Sequence, residues 1–70
     1  MKKVSIDFTT EICEGSIGTK EEVEKLLDGA QYDYEGIHRV RNSEEHKLEY
    51  VKVFSVSDYF FGTYFVCYKA

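Results

Sequence analysis

Hydrophobic and polar residues alternate at the start of the chain, which predicts a strand over residues 3–12 with one buried face. The apolar positions of this alternation are Val4, Ile6 and Phe8. The segment 13–18 that follows contains two glycines and predicts a loop, since glycine permits unusual backbone angles.

The clearest element is a short helix that begins at Thr19. Residues 19–22 read Thr-Lys-Glu-Glu, a capping box in which the Thr19 hydroxyl and the Glu22 carboxylate bind each other's backbone amides. A single apolar stripe follows at helical spacing, formed by Val23, Leu26, Leu27 and Ala30. We expect the helix to end at Gly29 or just beyond it, and to need a sheet to pack against.

Three further strands are predicted after the helix. A weaker strand over 35–42 has Ile37 and Val40 as its apolar anchors, and residues 42–45 form a turn. A long strand covers 46–57, residues 58–62 turn the chain, and the last strand covers 63–69. The order β-α-β-β-β predicts an α+β fold, in which one helix packs on a mostly antiparallel four-stranded sheet within a single domain, residues 1–70.

The long strand 46–57 has apolar residues on both of its faces. Val51 and Val53 lie on one face, whereas the other face carries Leu48, Tyr50, Phe54 and Val56. This pattern predicts that the strand is central in the sheet or lies at a dimer contact, and we expect at least weak self-association as a homodimer.

Length and composition indicate one small folded domain. The chain has 70 residues with 16% aromatic residues, so a few bulky side chains supply most of the core. No apolar run approaches the roughly 20 residues that cross a bilayer and no signal peptide is visible, so we expect a cytoplasmic location without membrane contact. Cys13 and Cys67 are expected to be free thiols, Cys67 within the core; a disulfide is the alternative if the first and last strands are neighbours.

No segment of the sequence has the residue spacing of a known catalytic or metal-binding motif. The segment 15–20 leads into a helix N-terminus that would attract an anion, but it has two residues between its glycines and the wrong Lys/Thr order for a phosphate-binding loop. His38 and His46 have no cysteine partner at metal-binding spacing, and no nucleophile motif is present. We therefore predict no enzymatic activity and no cofactor or metal; a small enzyme or ligand-binding domain with an unrecognised site is the least favoured alternative.

Negative charge is concentrated in the middle of the chain. Residues 21–49 contain nine acidic and four basic residues, a net charge of −5. Glu21, Glu24 and Asp28 follow helical spacing on the face opposite the apolar stripe, and the series continues with Asp33, Glu35, Glu44 and Glu45. These residues predict an acidic docking surface, although an ordinary solvated helix face with acids that complement the helix dipole explains them as well.

An aromatic turn is the second candidate binding surface. Tyr59, Phe60 and Phe61 are consecutive, and alternate side chains of a hairpin diverge, so one small core cannot bury all three. At least one of them is expected to contact a partner, with Tyr32 and Tyr34 as additions to the same surface.

In size, charge and aromatic content, the chain resembles the small acidic phage proteins that disable host factors, some of them as DNA mimics. The resemblance implies a protein whose carboxylates replace phosphates on a basic nucleic-acid-binding protein of the host and so inhibit its DNA binding. The concentration of acidic residues should also repel nucleic acid, so we expect no direct nucleic-acid binding by the chain. The alternative is a protein–protein adaptor that binds through the aromatic hairpin 58–65; salt dependence separates the two, because charge contacts weaken with ionic strength.

Overall fold

A computed structural model describes residues 1–42 and 47–70 of the chain. These residues form five strands and one helix, in the order β1 (Lys2–Asp7), β2 (Ile12–Ile17), α1 (Lys20–Leu27), β3 (Gln31–Asn42), β4 (Lys47–Asp58) and β5 (Gly62–Lys69).

The strands close into a barrel in the order β1-β2-β5-β4-β3, and β3 pairs back onto β1. All neighbours are antiparallel except β2 and β5, which run parallel. The predicted α+β fold, with a helix on an open four-stranded sheet in the order β-α-β-β-β, is therefore wrong. The protein is a small β-barrel with one short helix.

The first departure from the predicted fold lies in residues 3–12, which were predicted as one strand but contain the turn between β1 and β2. Thr9 has a positive φ of 80°, and its amide donates to the Asp7 carboxylate at 2.8 Å. The Phe8 amide donates to the Glu11 carbonyl at 2.9 Å, which closes the turn. Asp and Thr in these positions hydrogen-bond their own backbone and reverse the chain, so the strand ends at Asp7 although the alternation of apolar and polar residues continues to Thr9.

The predicted loop 13–18 is largely strand β2, and Gly15 explains why a glycine lies within it. A Cβ atom at Gly15 would lie 2.5 Å from Ile6 Cδ1 and 3.2 Å from the Phe65 backbone oxygen. The residue is therefore glycine because the barrel interior has no room for a side chain, not because the chain turns.

Two hydrophobic clusters hold the structure together. The barrel interior is formed by Ile6, Val40, Val51, Val53 and Cys67. The second cluster lies between α1 and the outside of the barrel and consists of Val23, Leu27, Val56 and Val66. Full burial of one such side chain stabilises the fold by roughly 1.5–3 kcal/mol. Val51 and Val53 face the barrel interior, which explains one of the two apolar faces of β4. The expected homodimer stays a prediction.

The helix prediction is largely confirmed. Thr19 is the N-cap, and both hydrogen bonds of the capping box with Glu22 are present. Val23 and Leu27 are buried, while the other stripe residues, Leu26 and Ala30, are half-buried. The helix ends at Leu27, two residues before Gly29.

Strand β3 is longer than predicted, since it begins at Gln31 and not at residue 35. A bulge between Tyr34 and Gly36 shifts its register against β4. The two predicted anchors do not share an environment, because Val40 is 1% exposed and Ile37 is 54% exposed. Tertiary pairing, rather than the apolar pattern, defines this strand.

The last two strands agree with the predictions at 46–57 and 63–69 to within one residue. The outer face of β4 is divided, because α1 covers Phe54 and Val56 while Leu48 and Tyr50 stay exposed. The predicted turn 42–45 lies mostly outside the described residues. Both cysteines are free, and Cys67 is fully buried, as predicted.

Candidate functional site

Three consecutive aromatic residues stand exposed at the turn between β4 and β5. Tyr59, Phe60 and Phe61, here called the aromatic tip, are 95%, 85% and 81% exposed. The rings of Tyr59 and Phe60 meet edge to face, with their centroids 5.3 Å apart. Such exposure of bulky apolar side chains is unfavourable in water and is typical of a contact surface.

The backbone of the aromatic tip is held in one conformation. One carboxylate oxygen of Asp58 accepts the amides of Phe60 at 2.7 Å and Phe61 at 3.1 Å. Gly62 ends the turn with a φ of +77°, a value that side chains disfavour. These contacts define the backbone of the turn from which the three rings project.

The acidic helix face is also exposed, as expected. Glu21, Glu24 and Asp28, here called the acidic ridge, are all exposed; the first two lie on α1, and Asp28 is its C-cap. They line one shallow groove together with Tyr32. Lys25 lines the same groove and offsets part of its negative charge.

The acidic ridge and the aromatic tip are contiguous. Asp28 also lines an adjacent groove, whose other wall includes Asp58, Tyr59 and Tyr64. The C-terminal end of α1 thus lies beside the β4–β5 turn. One partner can contact carboxylates and aromatic rings at the same end of the molecule.

Other predicted site residues are not brought to this surface. The Ser55 hydroxyl donates to the Glu35 carboxylate at 2.8 Å, and Asp33 pairs in register with Ser55. Both acids therefore lie on the face of β3 opposite to Tyr32 and Tyr34. Glu44 and Glu45 lie outside the described residues.

Tyr32 and Tyr34 belong instead to an aromatic cluster on the outside of the barrel. Their rings lie 5.9 Å and 5.3 Å from that of Phe54, which in turn stacks 5.9 Å from Tyr68. Tyr32 adjoins the acidic ridge, because it lines the same groove.

The candidates for chemistry are engaged elsewhere. The Glu22 carboxylate accepts the Thr19 amide at 2.9 Å, which lowers the pKa of Glu22 and occupies the place of an external anion at the helix N-terminus. The His38 ring is 2.6 Å from the Glu35 carbonyl and packs on Phe8. In the part of the chain that the structure describes, no three His, Cys, Asp or Glu residues gather as metal ligands. His46 lies outside that part.

The sequence analysis missed a basic and aromatic surface on the outer faces of β3 and β4. Cross-strand pairing places Arg39 opposite Tyr50, Ile37 opposite Lys52 and Arg41 opposite Leu48. We call these six residues the outer sheet patch. In the sequence these residues form two separate alternating series, at positions 37, 39, 41 and 48, 50, 52. The two series form one surface only when β3 and β4 pair.

Comparison of the chain with protein-family models, with curated proteins and with solved structures finds no match. Among residues 1–42 and 47–70, no helix has the length and hydrophobicity needed to cross a membrane.

Proposed function

We propose that this protein is a non-enzymatic binding protein that docks on a basic surface of another protein through the aromatic tip and the acidic ridge. The observation that carries the proposal is the exposure of three consecutive aromatic rings on a turn that Asp58 and Gly62 hold in place.

The aromatic tip supplies most of the binding free energy. Aromatic side chains that enter a partner's pocket are typical hot spots, and truncation of one commonly costs 2 kcal/mol or more. Because the Asp58 hydrogen bonds already order the turn, little further conformational entropy is lost on binding.

The acidic ridge favours partners whose docking surface is positively charged. Exposed carboxylates act mainly on the association rate and on specificity, and each single contact contributes modestly. A nucleic-acid-binding protein is the proposed partner class, because its phosphate-binding surface is rich in Lys and Arg. On this proposal the chain acts in the cytoplasm and competes with nucleic acid for its partner, as the DNA-mimic resemblance implies.

The experiment is affinity capture from a nuclease-treated bacterial lysate, followed by binding measurements on the purified partner. Phe60→Ser is expected to weaken binding at all salt concentrations. The double variant Glu21→Lys/Glu24→Lys is expected to weaken binding sharply at low salt and little at high salt. The matched control is Glu11→Lys/Glu14→Lys, which changes the net charge equally at exposed positions of the β1–β2 hairpin.

Nucleic acid of the partner's own target type should displace the wild-type chain. Equal weakening by the ridge and control variants would contradict a role for the acidic ridge and leave the adaptor function of the tip. Full affinity of the Phe60→Ser and Phe61→Ser variants would overturn the proposal.

A further inference from the structure

The outer sheet patch carries positive charge in a chain whose net charge is −4. Arg39 and Arg41 are exposed, and Lys52 is partly exposed between Ile37 on β3 and Tyr68 on β5. Within the described residues, none of the three cations forms an ion pair with a carboxylate. With respect to the carboxylates of residues 1–41 and 48–70, their charge is available to an external anion.

Strand alternation keeps two neighbouring carboxylates that the structure describes, Glu35 and Glu49, on the opposite face. Glu49 pairs in register with the buried Val40, and Glu35 binds Ser55 on the inner side of the sheet. The acidic ridge lies on the helix, which covers the other half of the outer face. The net charge of the chain predicts that nucleic acid is repelled. However, Glu35, Glu49 and the acidic ridge lie on other faces than the cations of the outer sheet patch.

Aromatic and apolar side chains lie between the cations. Tyr50 is 60% exposed and stands directly across from Arg39, at the usual cross-strand separation of about 5 Å. Further along the sheet, Tyr34 and Tyr68 flank Phe54 and extend the aromatic surface. Aromatic rings and cations on one open face are the combination that binds unpaired bases and their phosphates.

We propose that the outer sheet patch binds single-stranded nucleic acid. One base stacks on Tyr50, and the phosphates on either side contact Arg39 and Lys52. The exposed aliphatic groups of Ile37 and Leu48 cover the edges of the base. The neighbouring aromatic cluster accepts another base, further along the nucleic-acid strand, through Tyr34.

Other occupants fit less well. Duplex nucleic acid hides its bases, and the described part of this face has no protruding helix to enter a groove. A second copy in a symmetric dimer would place Arg39 and Lys52 of both chains together, which is repulsive. An acidic peptide would satisfy the cations but would leave the ring of Tyr50 without a stacking partner.

The test is the fluorescence anisotropy of a labelled single-stranded thymidine 12-mer, titrated with the full chain at low and moderate salt. Wild type is expected to bind, and an unlabelled duplex should compete poorly. Tyr50→Ala should weaken binding about tenfold or more, whereas Tyr50→Phe should retain most of it because the ring remains. Lys52→Gln should reduce the slope of log affinity against log salt by about 0.7.

Two control measurements keep the test specific. Phe60→Ser, in the aromatic tip, should bind the oligonucleotide like wild type, and circular dichroism should report native folding for every variant. Absence of oligonucleotide binding, or an unchanged affinity in folded Tyr50→Ala, would overturn the proposal. So would displacement of the oligonucleotide by a poly-glutamate peptide at equal charge concentration, which would indicate an acidic protein as the ligand.

Discussion

The Asp58 carboxylate accepts the amide hydrogen of Phe60 at 2.7 Å, and this contact fixes the turn that carries the aromatic tip. The same oxygen accepts the Phe61 amide. One side chain therefore supplies the hydrogen-bond acceptor for two backbone amides of the turn. The order of the tip therefore depends on a residue outside it.

Asp58→Ala should disorder the aromatic tip with little damage to the barrel. A net hydrogen bond contributes about 1 kcal/mol, so the free energy of unfolding should fall by about 1–2 kcal/mol. Amide relaxation measured by NMR should show increased motion at residues 59–61 only. Asp58→Asn keeps an acceptor oxygen and is the matched control; similar mobility in both variants would contradict the role assigned to this oxygen.

Leu27→Ala should destabilise the protein much more than Leu26→Ala. Leu27 is 7% exposed and packs beneath the helix, so its truncation should cost roughly 2–5 kcal/mol, whereas the half-buried Leu26 should cost less. Denaturant unfolding monitored by tyrosine fluorescence gives both values. Equal losses would mean that the helix packs on the barrel through a different face.

The charge of Glu22 should stabilise the helix only above acidic pH. The Thr19 backbone and hydroxyl hydrogen bonds hold the pKa of Glu22 below its ordinary value of 4.5 in the folded state. A lowered carboxyl pKa adds stability that is present above pH 4.5 and lost as the pH falls through the folded-state pKa. Wild type should therefore be more stable than Glu22→Gln at pH 7, and the two should converge in acid. A stability difference independent of pH would contradict this origin.

The two thiols should differ in reactivity. Burial raises the pKa of Cys67 to about 11, and the side chain is fully buried against the Ser16 carbonyl. Partial burial and then the Glu11 charge raise the pKa of Cys13, but its side chain reaches the solvent. With a disulfide reagent at pH 8, Cys13→Ser should react only as fast as the protein unfolds, and Cys67→Ser should react quickly. Similar native-state rates for the two variants would refute the burial of Cys67.

The sequence predicted correctly those elements that are determined by residues close together in the chain. The capping box at Thr19 and the apolar stripe of α1 depend on residues within one or two helical turns. The β1–β2 turn was missed because Asp7 and Thr9 continue the strand alternation while their hydrogen bond reverses the chain. Gly15 was misassigned because its cause, the approach of Ile6 and Phe65, is visible only after the barrel closes.

In the candidate site, too, features that depend on neighbouring residues were predictable and features that depend on strand pairing were not. The exposure of the aromatic tip was partly predictable, since three consecutive rings cannot share one core. The separation of Asp33 and Glu35 from the acidic ridge was not, because the strand was predicted to begin only at residue 35, and the bulge between Tyr34 and Gly36 arises from the pairing with β4. The outer sheet patch combines two strands, and no single stretch of sequence contains it.

The parallel pairing of β2 with β5 also constrains how the chain is made. Ser16 meets Val66 and Ile17 meets Cys67, so strands about fifty positions apart complete the barrel. On the ribosome, the nascent chain presents unpaired edges of β2 and β4 until β5 has left the exit tunnel. Exposed strand edges pair readily with other chains. Chaperone binding and aggregation during synthesis should therefore be greatest in the interval before β5 emerges.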